Sequence, residues 1–235
     1  KGPSLRKRAN KGPQIQQLSV RARKAAYCIL FTAERMQYAL GKYDVLKKSG
    51  IDPKDIHLFM GDKFPVGRHK PDLSNIHIAD RILSLTGVYT WMMTSVLESY
   101  ENAVIIEDDL QLAADFVEYM EWGMKLMDKS SNIFSVSAWN DNSWNYLKLD
   151  KEVFMMTKQF MGLGWLVNRR SLPLILNALS NECTPWDLCV HREMSSKGMV
   201  SVYPQYARVY HMPWKKGRHF HLTQQVQYSH DVVYP

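Results

Sequence analysis

"AVIIEDDLQL", residues 103–112, runs four apolar residues straight into Glu107, Asp108 and Asp109 before an apolar alternation resumes. A short, branched, apolar run bounded by polar residues suits a strand buried on both faces, as in a parallel sheet. Three adjacent carboxylates at its end repel one another where water screens them least. Each raises the pKa of the others unless a positive charge stands close. Ligands of open α/β sheets lie outside the carboxyl ends of the strands, which is where this reading puts the acids. A divalent cation would supply the missing charge. Hard oxygen donors suit Mn²⁺, with Mg²⁺ as the alternative, and such an ion on one or two carboxylates completes its shell with water and phosphate oxygens. The triplet therefore points to a metal-bridged nucleotide diphosphate. The same acids also suit a surface turn at the head of a following helix, where the helix dipole favours them.

The flanking sequence sets this strand in an alternating pattern. Upstream, "AAYCILFTA" (25–33) reads as a buried strand that emerges at Glu34 and Arg35. Met36, Leu40, Tyr43 and Leu46 then recur at helical spacing, with Ser49-Gly50 as the stop. "DIHLFMGD" (55–62) is the next strand, and Ile78, Ile82, Leu85, Tyr89, Met92 and Val96 predict one long helix leading back to the acids. Downstream, Asp115 with Glu118 resembles a capping box ahead of Phe116, Met120, Met124 and Met127 on one helical face. "NIFSVSAWNDN" (132–142) is a strand entering a polar turn. "SLPLILNAL" (171–179) and "WDLCVHREMSSKG" (186–198) are short helices, and "VSVYPQYARVYHM" (200–212) returns to a β pattern. Alternating strands and helices predict an α/β fold: a mostly parallel central sheet with helices on both faces.

At 235 residues and 46% hydrophobic content, the chain suits one main domain around a substantial core. Lys and Arg outnumber Asp and Glu by 30 to 23, but residues 1–23 carry basic side chains and no acid. They read as a mobile basic arm, with 24–212 as the folded domain and 213–235 as a tail or lid over the phosphates. The folded region has no basic stripe interleaved with aromatics, which argues against a nucleic-acid partner. Cys28, Cys183 and Cys189 make no disulfide framework and lack the paired spacing of a zinc site. No apolar run approaches the ~20 residues that cross a bilayer, so membrane attachment is expected only through a tether outside this stretch. His219 and His221 in "GRHFHLT" would bind metal only with a third partner.

Taken in order after "VIIEDDLQLAADFVEYM", the segments "VSAWNDN", "QFMGLGWLV" and "TPWDLCVHREMSSKG", with "KPDLSNI" (70–76) upstream, resemble the N-acetylglucosaminyltransferase I family and the related protein O-mannose β-1,2-N-acetylglucosaminyltransferase. The likeness runs from about Tyr27 to His211. It implies an inverting glycosyltransferase of GT-A fold that moves GlcNAc from UDP-GlcNAc to a mannose hydroxyl of a glycan or glycoprotein acceptor, with Mn²⁺. By match to the family's motifs, Asp109 is the metal ligand, Asp108 lies near the ribose and the metal's water shell, and Glu107 faces the donor sugar. Arg35 and Asp62 fall near the nucleotide, Asp62 accepting from uracil N3. Trp139, Asn140, Asp141 and Asn142 line the sugar end, while Gly162, Gly164 and Trp165 let backbone and an indole face approach the GlcNAc. Asp187 of Trp186-Asp187 is the general base that takes the acceptor's proton.

Departures from the family pattern carry their own expectations. Relatives place a second Asp where Leu188 stands and a second Trp where Cys189 stands, which leaves either Asp187 or Glu193 as base. Val88 occupies the position of the family's base-stacking histidine. Ser135 and Ser201 stand where relatives carry a disulfide-bonded cysteine pair. The family works in the Golgi lumen, whereas loss of that pair leaves a cytosolic enzyme open. Two further readings fit the same residues: the same fold with another UDP-sugar or acceptor, and an inactive relative that binds a glycan or nucleotide. Retention of both Asp109 and Asp187 favours the enzyme.

Overall fold

The computed structural model describes residues 23–65, 67, 70–144, 147–180 and 183–212. The basic arm up to residue 22, the C-terminal tail, and His219 and His221 lie outside the described residues.

Three buried strands found in the sequence form the centre of the sheet: β1 (Arg23–Phe31), β2 (Ile56–Met60) and β4 (Tyr100–Glu107), with β1 parallel to both others. β3 (Ile76–Ile78) extends one side beyond β2. The other side continues through β8 (Trp165–Asn168), β6 (Ile133–Ser137), β9 (Val200–Pro204) and β7 (Phe154–Thr157), giving the order β3-β2-β1-β4-β8-β6-β9-β7. β1–β2, β1–β4, β2–β3 and β6–β9 pair in parallel, whereas β8 runs antiparallel to β4 and β6, and β7 antiparallel to β9. A separate two-stranded antiparallel ribbon joins β5 (Leu110–Leu112), directly after the acids, to β10 (Val209–His211).

Because successive strand residues point to opposite faces, the apolar runs feed two cores. Tyr27, Ile29, Val104, Ile106 and Val136 pack with α1 (Met36–Lys48) and α3 (Phe116–Lys129). Ala26, Cys28, Ala103, Ile105 and Phe134 pack with α2 (Leu85–Leu97), α4 (Leu172–Leu179) and α5 (Trp186–Ser196). The sheet is thus covered on both sides, as the continuous apolar strands require. Gly50, at φ +89°, closes α1, and the Ile51 N–H donates to the Leu46 carbonyl.

Several expectations are corrected. The long helix from Ile78 does not form. Ile78 ends β3, Ile82 is exposed, and α2 starts only at Leu85, where Ser84 Oγ accepts the Gly87 N–H at 3.1 Å. Asp115 flanks α3 but caps nothing with its side chain; its Oδ2 faces Arg208 Nε at 2.7 Å, a buried cation with stronger claim on a carboxylate than a backbone N–H. The segment 200–212 breaks into two strands in different sheets, turning after Pro204.

Cys183 and Cys189 are disulfide-bonded, a single bridge that does not support the cytosolic alternative. Cys28 is free and buried. Ser135 and Ser201 face each other across the β6–β9 ladder, both 0% exposed, with their hydroxyls 2.7 Å apart. Where relatives are expected to carry a covalent bridge, this chain holds the same two strands with a buried hydrogen bond. Ser135→Ala is expected to lower stability by about 1 kcal/mol, because it leaves the buried Ser201 hydroxyl with only the weakly accepting Met194 sulfur at 3.4 Å. Ser135→Ala with Ser201→Ala should cost less than the sum of the single changes in urea denaturation, and strict additivity would show that the two hydroxyls are not coupled.

Candidate functional site

The sheet order brings the candidate residues to one edge. β1, β2, β4 and β6 all point the same way, so Arg35, Asp62, Asp108-Asp109 and the Trp139–Asn142 turn follow their carboxyl ends. β8 runs opposite, so Gly162–Trp165 enters at the same edge. From β1 the chain crosses to β2 on one side, and β4 lies on the other. The acids at the end of β4 and Arg35 after β1 therefore straddle the switch point, where crossovers leave a crevice.

Three cations converge on the three acids. Arg35 Nη1 lies 3.2 Å from Asp108 Oδ1 and 3.2 Å from Asp109 Oδ2. Lys42, buried on α1, donates to the Asp108 carbonyl at 2.6 Å. His211 Nε2 stands 3.5 Å from Asp109 Oδ2. The β5–β10 ribbon fixes this last contact, and the Met212 N–H donates to the Asp109 carbonyl at 2.8 Å.

The acids have separate environments. Asp108 is 2% exposed and turned inward, where its Oδ2 accepts the Thr32 N–H at 3.1 Å. It braces β4 against the turn after β1. Burial raises its pKa to about 6 even with Arg35 beside it. Glu107 Oε1 accepts the Tyr89 hydroxyl at 2.5 Å, and burial together with the Asp109 charge raises it to about 7. For Asp109, burial alone would raise the pKa, but His211 and Arg35 outweigh it and hold the carboxyl below its ordinary value. Its Oδ2 carries these partners, while Oδ1 is buried with no hydrogen-bond partner among the described residues. Burial likewise opposes charge on His211, yet Asp109 raises its pKa.

An orphaned carboxylate oxygen is the donor a hard cation takes. No group of three or more His, Cys, Asp or Glu among the described residues is arranged to hold an ion. A metal at Asp109 Oδ1 would need other oxygens, such as those of a diphosphate, which fits the small protein ligand count of such sites.

The remaining candidates are a mixed group. Asp62 follows β2 and accepts the Lys63 N–H at 2.7 Å. Beside it, Gly61 carries no Cβ because Val88 Cγ2 lies 2.0 Å from where one would stand, so Val88 is packed at the end of β2 and presents no ring. The Trp139 indole N–H donates to Asp141 Oδ1 at 2.7 Å. Asn140 is buried and structural: its Nδ2 donates to the Gln205 carbonyl and its Oδ1 accepts the Asn142 N–H. Gly164, at φ +58°, lies against Val209, and its carbonyl accepts the Ala138 N–H at 2.8 Å. Trp165 is 0% exposed, with its ring enclosed by Phe160 at 5.0 Å and Trp186 at 6.3 Å, so it supports the site from within the core and offers no open indole face. Asp187 is exposed at the start of α5, directly after Trp186, whose ring stacks on Tyr89 at 4.3 Å. Burial raises the pKa of the Tyr89 hydroxyl well above its ordinary value, and the charges of Glu107, Asp109 and Asp187 raise it further; of these three, Glu107 is the hydrogen-bonded partner. Glu193 lies further along α5, away from its amino end.

Lys42, Tyr89 and His211 escaped the sequence reading. Lys42 had a signal: it lies between Ala39 and Leu46 at core-facing spacing, where a lysine needs a partner.

Glu107, Asp108 and His211 all hold protons more tightly folded than unfolded. Their contribution to stability is therefore full at low pH and lost as pH rises through the folded values, about 6 for Asp108 and about 7 for Glu107. His77 and Lys42, both lowered by burial, Lys42 to about 8, act with the opposite sign. The metal-free protein is expected to melt at higher temperature as pH falls from about 8 to about 5.5, and Glu107→Gln should flatten that slope. An unchanged slope in the variant would contradict the assignment.

Comparison with known proteins gives two matches. Residues 59–225, from β2 past β10, match the GNT-I family model, a span that includes the acids, the Trp139 turn and α5. The alpha-1,3-mannosyl-glycoprotein 2-beta-N-acetylglucosaminyltransferase of Arabidopsis thaliana is 28% identical over 130 residues, covering 52% of this chain and 28% of that protein. The chain thus matches less than a third of that relative's length. With an α/β sheet of the GT-A type and most of its length matched, the chain belongs to the GNT-I family.

Proposed function

We propose that this protein is an inverting, metal-dependent glycosyltransferase that moves GlcNAc from UDP-GlcNAc to a mannose hydroxyl of a glycan or glycoprotein in the Golgi lumen. Family membership and the relative's activity support the transferase class, and the disulfide agrees with an oxidising compartment. The observation that carries the metal and the diphosphate is the unpartnered Asp109 Oδ1 at the switch point.

Asp109 would hold Mn²⁺, or Mg²⁺, together with the donor's diphosphate. When bound, the ion supplies Lewis-acid stabilisation of the charge on the departing UDP. Arg35 and His211 fix one oxygen of Asp109 and leave the other for the ion. Arg35 also adds positive charge beside the phosphates. Glu107, oriented by Tyr89, accepts from a hydroxyl of the donor sugar, and Asp62 accepts from the uracil. Trp139 and Asp141 border the sugar end, with Gly164 shaping the adjacent turn. Asp187 takes the acceptor proton as the hydroxyl attacks the anomeric carbon on the face opposite UDP. Asp187 is preferred to Glu193 because Trp186 ties it to the Tyr89–Glu107 pair.

With Mn²⁺, UDP-GlcNAc and a mannose-terminated glycan, transfer with inversion is expected by mass spectrometry and NMR. Asp187→Asn should reduce turnover by about 10²–10⁴-fold while UDP still binds. Absence of turnover across a panel of UDP-sugars would overturn the enzymatic reading in favour of a binding module, and an active Asp187→Asn would remove that residue as base.

A further inference from the structure

A covalent ring closes around the proposed base. Cys183 and Cys189 are bridged at a sequence separation of 6, with Cα atoms 6.1 Å apart. Between them lie Thr184, Pro185, Trp186, Asp187 and Leu188, so the ring encloses the first residues of α5. Cys189 is buried, and Cys183 packs half-buried against the core beneath α2, α4 and α5.

Asp187 itself has little hold on the sheet. Its Oδ1 accepts the N–H of Leu188 at 2.9 Å, a bond inside the ring. Among the described residues no hydrogen bond or ion pair ties its carboxylate to another element. Its position is set by its neighbours instead. The Trp186 ring stacks on Tyr89 at 4.3 Å and 28° and meets Phe160 edge-on at 5.7 Å. A Cβ on Gly162 would come within 3.2 Å of that indole, so a larger residue at 162 would crowd the slot that Trp186 fills. Tyr89 in turn holds Glu107. A continuous packed path therefore runs from the bridge through Trp186 and Tyr89 to the donor-side acid.

A ring this short constrains the unfolded chain weakly, since the entropic gain from a crosslink grows with the length of the loop closed. Its effect falls instead on where the enclosed residues sit. The strands β6 and β9 meanwhile pair through their backbone ladder with the Ser135–Ser201 hydrogen bond across it.

We propose that the Cys183–Cys189 bridge is a positioning element of the reaction: it keeps Trp186 seated on Tyr89 and so aims Asp187 at the acceptor side of the acids. This inference rests on the reading of Asp187 as the base. Breaking the bridge takes two electrons and two protons from a dithiol, which leaves as its own cyclic disulfide. Two thiols then replace the clamp on the turn.

The test compares the oxidised protein, the same protein folded and then treated with dithiothreitol, and Cys183→Ala with Cys189→Ala. Turnover, donor KM, UDP affinity and hydrogen–deuterium exchange over residues 184–190 are read for each. Reduction is expected to lower kcat at least tenfold, leave donor KM and UDP affinity unchanged and speed exchange in that segment, and reoxidation should restore all of these. The double variant should behave as the reduced protein and ignore dithiothreitol. Unchanged kcat and exchange on reduction would overturn the proposal, and so would a parallel loss of UDP affinity, which would mark a general structural role. If the oxidised protein transfers no sugar, the transferase reading fails separately. Exchange over 184–190 then decides the bridge, with no change on reduction counting against it.

Discussion

The compensation of three carboxylates at one strand end governs the rest of the site. Left alone, Glu107, Asp108 and Asp109 would oppose burial by mutual repulsion and by the cost of desolvating each charge. The fold answers with Arg35 from the turn after β1, Lys42 from α1 and His211 from β10. These cations come from segments far apart in sequence, so the acid cluster can exist only once the sheet, the first helix and the small ribbon have assembled. The compensation is also incomplete in a specific way. Every cation contact to Asp109 falls on one oxygen, and Asp109 Oδ1 is left buried without a hydrogen-bond partner among the described residues. Under the proposed function, a divalent ion would complete that arrangement, and the donor's diphosphate would complete the ion's own shell.

Much of the central sheet was legible because its strands are buried on both faces. Runs such as 25–31 and 103–106 leave no polar alternation to confuse with a helix, and the acids mark where the strand leaves the core. β7 and β8 had weaker signals. Both are only four residues long, and β8 follows a glycine turn that masks its start. The overextended helix from Ile78 shows the opposite error. Ile78 and Ile82 happened to match the period of Leu85 and Tyr89, but the serine at 84 caps the real helix by accepting the N–H of Gly87 in its first turn. Register with β2 claims Ile78 for the sheet.

At the site, residue types near the acids were readable, while their tertiary partners were not. The three acids are contiguous, so their need for a nearby positive charge was legible from charge alone, whereas the choice of Asp109 as the ion's ligand came from the family resemblance. His211 reaches Asp109 only through the β5–β10 ribbon, and no local pattern in "ARVYHM" announces that pairing. Trp165 illustrates a limit of motif matching: a tryptophan in a glycine-flanked turn suits a sugar platform, yet here the ring is closed in by Phe160 and Trp186. Trp186, one turn of packing away, links the core to Asp187 and to Tyr89.

Isothermal titration of UDP into the protein, with Mn²⁺ or with EDTA, addresses the central claim most directly. The account predicts at least tenfold tighter binding with Mn²⁺ and loss of that gain in Asp109→Ala, whose circular dichroism should remain native. Equal UDP affinity in both buffers, together with an unaffected Asp109→Ala, would contradict it.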